Sequence, residues 1–366
     1  MARKLNERDI KNILYGATFL GSGGGGTLKD GLRLLSDVAS KKTIELELIN
    51  TSEIGSNEYA VMVAGIGAPK AMEESNFGPE AGYAFEAMQK IAFFSGKELK
   101  YLMAGELGGF NTMVPMYLSI LKDIPFVDGD GNGRAVPELS TGLYPIYDIP
   151  PTPLTLAGGN GDTVIAFLKD PKDHKAAENI ARHISMAYGM SAAFCTWVVD
   201  KHDIVDKLAP ESITRSQRIG EAISSASKGN KDALLQKLNK EVECKEICIG
   251  KIREIEIRTE EGFDFGTTII NGAGKHEGTE FYIDFKNENM LVRDDRGNTL
   301  VTVPDLICML DLKTMEPLTN ASTEKGMEIG LYGVPAPENW WKDEGGFNCW
   351  KHILEKIGYT AGPVRV

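Results

Sequence analysis

Short apolar runs alternate with amphipathic stretches along the first 245 residues, and this alternation restricts the fold more than any other feature. Four runs have the length and apolar character of buried strands: "TIELELI", "YAVMVAG", "LKYLMAG" and "IPFVD". Between them lie stretches with apolar residues at helical spacing: "NERDIKNILYGATFL", "GPEAGYAFEAMQKIAFFSG" and "NTMVPMYLSILKD". Strands and helices in this order predict an α/β domain with a largely parallel or mixed sheet.

The pattern of apolar and polar residues changes near residue 245. The segments that follow are short alternating runs broken by glycine and asparagine, such as "EICIGKIREIEIRTEEGFDFGTTIING", "TEFYIDFKNENMLVRD" and "TLVTVPDLICMLD". This pattern is typical of antiparallel strands joined by tight turns. We therefore expect an N-terminal α/β domain at 1–245, which carries the glycine-rich and acidic loops. A C-terminal β-rich domain is expected at 246–366, with a tail that folds back from about residue 325.

Composition excludes several classes of partner. The chain of 366 residues has a formal net charge of −12, which disfavours nucleic acid and anionic membranes. Its five cysteines are odd in number and scattered, which argues against a disulfide framework. The basic start of the sequence has no apolar segment behind it, and no apolar run reaches membrane-spanning length. These features predict a cytoplasmic protein that acts on a small molecule, and its acidic, glycine-rich composition favours a homo-oligomer.

The glycine run "GSGGGG" matches the pattern G-x-G-x-x-G from Gly21 to Gly26. A dinucleotide-binding loop follows a strand, whereas the segment before this run is helical in pattern. A phosphate-binding P-loop needs a lysine before its last Ser/Thr, but here Gly26 stands directly before Thr27. We therefore expect no nucleotide cofactor. Two interpretations stay open: a helix C-cap with a flexible turn, or an anion-binding nest of backbone N–H groups.

The segment "PFVDGDGNGRAVPELST" is the densest cluster of chemical groups. It begins like an EF-hand loop but fails at the last ligand position, where Leu139 replaces the required glutamate. Its acidic residues follow a short strand, and open α/β sheets bind ligands beyond the carboxyl ends of their strands. We predict that its charged side chains are catalytic, the alternative being a solvated turn: Asp128, Asp130, Arg134 and Glu138.

Three further loops share this glycine-rich, polar character: "GIGAPKAMEE", which includes Pro69 and Glu73, "AGELGGFN" and "AGGNGD". Their common position near strand ends predicts one rim of a sheet that is built for a ligand. Glu106 joins the predicted catalytic group. The predicted substrate-binding residues are Gly24, Gly25, Gly67, Gly108, Gly109, Asn111 and Asn160.

Taken together, "LGSGGGG", "GIGAPK", "GELGGFN", "VDGDGNGRAVPEL", "FKNENM" and "VPDLI" resemble the S-methyl thiohydantoin desulfurase family over nearly the whole chain. The resemblance implies hydrolytic removal of a sulfur substituent from a five-membered thiohydantoin ring. It also implies association with hydantoinase/oxoprolinase-type enzymes. The polar positions that match are Glu106, Asn111, Asp128, Asp130, Arg134 and Glu138, and more weakly Asn287, Glu288 and Asp305.

Two mechanisms for activating water follow from these residues. One carboxylate can act as a general base. Alternatively, Asp128, Asp130 and Glu138 together hold a divalent metal ion, for which oxygen ligands favour Mg, Mn or Ca. Zn would need a nitrogen or sulfur ligand as well, and the five histidines are scattered without metal-binding spacing. Two other functions stay open: a nucleotide- or phosphate-binding enzyme that uses the glycine loop, and a non-catalytic partner of a hydantoinase.

Overall fold

Two β-sheets organise the chain. The structure is a computed structural model, and it describes residues 2–67, 71, 74, 77–226, 231–260 and 262–366. Pro69 and Glu73, which sequence reasoning placed in a ligand-binding loop, lie outside these residues. In the described part no helix has both the length and the apolar character to cross a membrane.

The first sheet is mixed, as the sequence predicts. Among the described residues it has nine strands in the order β1-β2-β5-β4-β3-β8-β6-β7, with β9 paired to β5. Strands β2, β5, β4 and β3 are parallel neighbours, and the other pairings are antiparallel. The strands are β1 Arg3–Leu5, β2 Leu46–Ile49, β3 Glu58–Gly67, β4 Glu98–Ala104, β5 Phe126–Asp130, β6 Leu154–Gly158, β7 Thr163–Ala166, β8 Ser191–Val199 and β9 Ala209–Pro210.

The helices begin where the sequence supplies caps. The Asn6 side chain accepts hydrogen bonds from the first turn of the first helix, and Thr27 does the same for the second. Pro115 lies inside the fourth helix without ending it. The helices are α1 Glu7–Leu20, α2 Leu28–Lys41, α3 Pro79–Phe94, α4 Gly109–Lys122, α5 Leu143–Ile146, α6 His174–Ala187, α7 Ser212–Ser224, α8 Lys231–Val242, α9 Gly345–Asn348 and α10 Lys351–Lys356.

The second sheet is antiparallel throughout and confirms the predicted β-rich C-terminal part. Its order is β14-β13-β12-β11-β10-β17-β15-β16. The strands are β10 Lys245–Glu260, β11 Phe263–Gly272, β12 Glu280–Lys286, β13 Glu288–Asp294, β14 Thr299–Thr302, β15 Leu306–Asp311, β16 Pro317–Leu318 and β17 Glu328–Val334. The second sheet thus begins at Lys245, while the domain division at 245/246 stays a prediction.

The C-terminal segment packs against the first sheet. Trp340 and Trp350 are fully buried and belong to the same apolar core as the strands and helices of the N-terminal part. The Trp340 indole Nε1 donates a hydrogen bond to the Asn132 carbonyl at 2.7 Å. This contact brings the loop after β5 and the C-terminal part together around the cavity described next.

Candidate active site

A cavity of about 420 Å³ lies where the first sheet meets the second. Its walls come from β3, from the loops after β4 and β5, from the glycine run, and from the turn between β12 and β13. Small-molecule sites in proteins have this size and often lie between domains. The cavity is therefore the first candidate for an active site.

The glycine run lets three chain segments approach closely at one wall of this cavity. A Cβ atom on Gly24 would lie 2.0 Å from Glu288 Oε1, and one on Gly25 would lie 2.4 Å from the Leu107 carbonyl oxygen. Gly25 and Gly26 also have φ values of 72° and 79°, which favour glycine. Close packing therefore requires these glycines, and Gly24 and Gly25 line the cavity as well.

Glu106 follows β4 and lines the cavity. Its Oε2 accepts a hydrogen bond from the Val136 amide at 2.7 Å, and its Oε1 accepts one from the Asn111 side chain. The pKa of Glu106 is raised to about 7, mainly by burial and to a smaller extent by the negative charge of Asp130. The two hydrogen bonds and the positive charge of Arg134 oppose it, because they favour the ionised form.

Glu288 is the second carboxyl group in the cavity wall, and it is only 4 % exposed. Its Oε2 has no hydrogen-bond partner among the described residues. Burial and, to a smaller extent, repulsion from Glu106 raise the pKa of Glu288 to about 8, while the positive charge of Arg134 lowers it. Near neutral pH the two groups therefore retain a proton between them, and the hydrogen bonds that Glu106 accepts favour the form in which Glu288 carries it.

Three other buried polar atoms of the cavity residues lack a hydrogen-bond partner within the described part of the chain: Arg33 Nε, Trp197 Nε1 and Asn320 Oδ1. Buried polar groups in folded proteins are nearly always paired, so such atoms at a cavity are available to a ligand or to ordered water. Sequence reasoning missed all three residues. Nothing in a single sequence distinguishes them from ordinary core or surface positions.

Glu138 also lines the cavity, but its carboxylate is already paired. It forms an ion pair with Lys286, and its Oε2 lies 3.0 Å from His352 Nε2. Lys286 is buried, and its ammonium group lies 4.0 Å from the centre of the Phe263 ring. The structure thus makes Glu138 part of a charged cluster at the edge of the cavity.

The structure does not bring Asp128 and Asp130 to this cavity. Asp128 accepts hydrogen bonds from the backbone and side chain of Thr214, in the first turn of α7. Asp130 is fully buried and accepts hydrogen bonds from the amides of Asn132 and Gly133 at 2.8 Å. Asp128 thus holds the start of α7, and Asp130 holds the backbone after β5. The structure places neither at this cavity, and their catalytic role stays a prediction.

Arg134 does not line the cavity either. Its guanidinium is fully buried and donates to the carbonyls of Ala135 and Pro304 at 2.9 and 2.7 Å and to that of Asp305 at 3.2 Å. One face lies 4.7 Å from the centre of the Trp350 ring. Burial lowers its pKa to about 10, which leaves it charged at neutral pH. Arg134 therefore joins the two parts of the chain, and its catalytic role stays a prediction.

The remaining predicted residues divide between the cavity and other places. Gly67, Asn111 and Asn287 line the cavity. Gly108 and Gly109 pack against the glycine run and the start of α2, where a Cβ atom would meet backbone at 2.1 and 2.4 Å. Asn160 lies in the exposed turn after β6, with its amide 2.7 Å from Asp162. Asp305 is buried and holds the amides of Ala336 and Val366.

The three carboxylates predicted to hold a metal ion together do not form one group among the described residues. Asp128, Asp130 and Glu138 each contact different partners, as described above. Within the described ranges, no three His, Cys, Asp or Glu side chains gather closely enough to hold a metal ion. A metal site built from these three residues jointly does not form, and any other metal requirement stays a prediction.

A second cavity of about 420 Å³ lies beside Asp128 and the first turn of α7. Two of its three arginines, Arg3 and Arg218, pair with neighbouring residues. Arg3 donates to Gln217 and Thr214 at 2.6 and 2.8 Å, and Arg218 lies 3.8 Å from Glu241. This mutual pairing makes it a weaker candidate for a ligand site than the cavity at Glu106 and Glu288.

Comparisons with known proteins agree with this architecture. A crystal structure of a protein from Chromobacterium violaceum superposes with a TM-score of 0.84 at 23% identity, covering 99% of this chain and 100% of that one. At this identity the likeness shows the fold alone. No curated protein matches the chain. The family descriptions "S-Me-THD-like, N-terminal domain" and "S-Me-THD-like, C-terminal domain" match residues 8–167 and 172–350. The chain therefore belongs to the S-Me-THD-like family.

Proposed function

We propose that the protein is a hydrolase that removes the sulfur substituent from an S-methyl thiohydantoin or a related five-membered cyclic amide. The observation that carries this proposal is the pair formed by Glu106 and Glu288. Two carboxyl groups with raised pKa values face one cavity, and their surroundings differ in a way that assigns them different protonation states. Such a pair can supply a general base and a general acid together.

The hydrogen bonds support a different catalytic role for each carboxyl group. Glu106 accepts hydrogen bonds through both oxygens, which favours its carboxylate form and makes it the base. Glu288 has an oxygen without a donor among the described residues and the higher pKa, so it is the acid. Asn111 holds Glu106, and the bare backbone at Gly24 leaves room for Glu288.

The proposed reaction balances without any further reactant. Glu106 takes a proton from water as the water oxygen bonds to the ring carbon that carries sulfur, and Glu288 gives its proton to the neighbouring ring nitrogen. The carbon–sulfur bond then breaks, and methanethiolate leaves with the proton held by Glu106. The new hydroxyl group returns its proton to Glu288 as the carbonyl forms. The products are a hydantoin and methanethiol, and both glutamates regain their starting states.

The charges of the cavity favour this substrate class over a nucleotide. The lining has more acidic than basic side chains. The carboxyl groups belong to Asp30, Glu106, Glu138, Glu178, Asp264 and Glu288, and the cations are Arg33 and Arg182. Arg182 is bound by Glu178 at 2.7 Å, whereas Arg33 Nε has no hydrogen-bond partner among the described residues. A polyphosphate would meet net negative charge here. A small ring with a single anionic substituent would place that group at Arg33.

A direct assay tests the proposal. The protein is incubated with S-methyl thiohydantoin in H₂¹⁸O, free thiol is measured with a colorimetric disulfide reagent, and the ring product is examined by mass spectrometry. We expect release of methanethiol together with one ¹⁸O atom in the hydantoin. Absence of thiol release would contradict the proposed reaction, and thiol release without ¹⁸O would exclude hydrolysis by water.

The pH dependence follows from the two carboxyl groups. The active state carries one proton on the pair, so kcat/KM should fall below about pH 7, where Glu106 is also protonated, and above about pH 8, where Glu288 loses its proton. The result is a narrow bell-shaped profile whose two limbs belong to the pair as a whole. Initial rates from pH 5 to 10 measure it. A rate that is flat across pH 7 to 8.5 and falls only below pH 5 would contradict the assignment.

A further inference from the structure

Trp197 lies at an irregularity of strand β8. It adopts φ of 51°, a left-handed conformation that bulky residues rarely take. Across the ladder with β3, Met62 pairs with Thr196 and Val61 pairs with Val198, so Trp197 has no partner on β3. One extra residue in one strand is a β-bulge, and bulges often re-aim a side chain next to an active site.

The bulge changes the face on which the indole lies. Side chains three positions apart point to opposite faces of a regular strand. Phe194 and Trp197 nevertheless both line the cavity, together with Ala64, which pairs with Phe194 on β3. The bulge therefore brings Trp197 to the cavity face, at the cost of an unfavourable backbone conformation. Strain of this kind persists where the surrounding structure enforces it, which is frequent at ligand sites.

The indole is fixed but its N–H group is unused. Trp197 is 3 % exposed, and its ring stacks on Tyr144 at 3.8 Å with an interplanar angle of 4°. Its Nε1 is buried and has no hydrogen-bond acceptor among the residues that the structure describes. Stacking supplies the packing, so the N–H remains as an unpaired donor on a residue of the cavity wall.

We propose that Trp197 is a ligand-binding residue whose indole N–H donates a hydrogen bond to a carbonyl oxygen of the bound ring. The β-bulge positions this donor, and the stacked Tyr144 ring fixes its plane. The choice of ring rests on the proposed function, while the donor role depends only on a ligand that carries a carbonyl group. Trp197 thus contributes to recognition of the ring on the side of the first sheet.

Nuclear magnetic resonance of the indole N–H groups tests this role in the intact protein. The chain has four tryptophans, so a ¹H–¹⁵N spectrum contains four indole signals, assigned through Trp→Phe variants. The probes are hydantoin, succinimide and 2-pyrrolidinone, which are neutral five-membered rings with a carbonyl group. We expect the Trp197 signal to move downfield on titration, and the Trp350 signal to stay. Trp350 is a matched control because its Nε1 is also buried and unpaired within the described residues, but it does not line the cavity.

Trp197→Phe gives the second measurement, since it keeps an aromatic ring against Tyr144 and removes the donor together with the five-membered ring of the indole. We expect its Kd for the probes to rise about tenfold, the usual effect of one neutral hydrogen bond. A Trp197 signal that none of the three probes moves overturns the inference, and so does an unchanged Kd in the variant. If the signal moves but S-methyl thiohydantoin is not hydrolysed, the proposed function fails and the donor role stands.

Discussion

Replacing Glu288 with Gln lowers kcat on S-methyl thiohydantoin by about 10²–10⁴-fold, the range found when a general acid is removed. Glutamine has nearly the same shape, so it fits against the bare backbone of Gly24, where a Cβ atom would lie 2.0 Å from Oε1. It cannot give a proton to the ring nitrogen. The alkaline limb of the pH profile should vanish with the rate, because that limb reports loss of the Glu288 proton.

Glu106→Gln should cause a loss of similar size for a different reason. The variant has no base, and Asn111 and the Val136 amide would face a side chain that accepts through one oxygen only. Because the two groups act as a unit, the double variant should lose little more than either single variant. Steady-state kinetics with thermal denaturation as a folding check measures all three.

Asp264→Asn is the matched control for both replacements. Asp264 also lines the cavity, but it is exposed and already accepts from Thr259 at 2.7 Å. We expect its rate to stay within about threefold of the wild type, because an exposed charge is screened by solvent. Rates near wild type in Glu288→Gln, or an equal loss in Asp264→Asn, would remove the reason for assigning acid–base roles to the pair.

The fold could be predicted further than the site because its signals are local. The run "YAVMVAG" becomes part of β3, and "NTMVPMYLSILKD" becomes most of α4 even though Pro115 interrupts it. The change in residue pattern near residue 245 coincides with the start of the first strand of the antiparallel sheet. Periodicity and turn residues operate within a few positions, so one sequence is enough to read them.

The site depends on contacts between distant segments, which one sequence does not reveal. Asp128 and Asp130 lie in β5 and Glu138 follows it, but β5 also pairs with β9, about 80 residues away. That pairing places Asp128 at the first turn of α7 and away from the cavity. Trp197 is another example, because its bulge exists only through the register with β3.

The resemblance to a family added residues of the cavity that motif spacing did not identify. It added Asn287 and Glu288, 150 residues beyond the acidic loop, and both line the cavity. It also carried over Asp305, which the structure shows binding the amides of Ala336 and Val366. A matching position therefore marks a residue with a function in the fold or in the site, and the structure decides between the two. The expected homo-oligomer and the hydantoinase-type partner stay predictions.

Replacing Arg134 with Met lowers the free energy of unfolding by about 3–5 kcal/mol, the cost of breaking a buried charged network by removing one partner. Three carbonyl groups, from Ala135, Pro304 and Asp305, lose their donors in the interior. Single domains have only about 5–15 kcal/mol of stability in total, so the loss is a large share of it. Urea denaturation followed by fluorescence measures the change.

Arg258→Met is the matched control, because Arg258 pairs with Glu260 at 3.7 Å and the two side chains are 61 % and 42 % exposed. Exposed ion pairs contribute about 0–1 kcal/mol, so this variant should unfold nearly like the wild type. The comparison also decides between the two roles considered for Arg134. If Arg134→Met is as stable as Arg258→Met and instead loses affinity for the ring, Arg134 contacts the ligand, as its sequence context predicted. If it loses stability while the remaining folded protein binds hydantoin normally, Arg134 acts by joining the two parts of the chain.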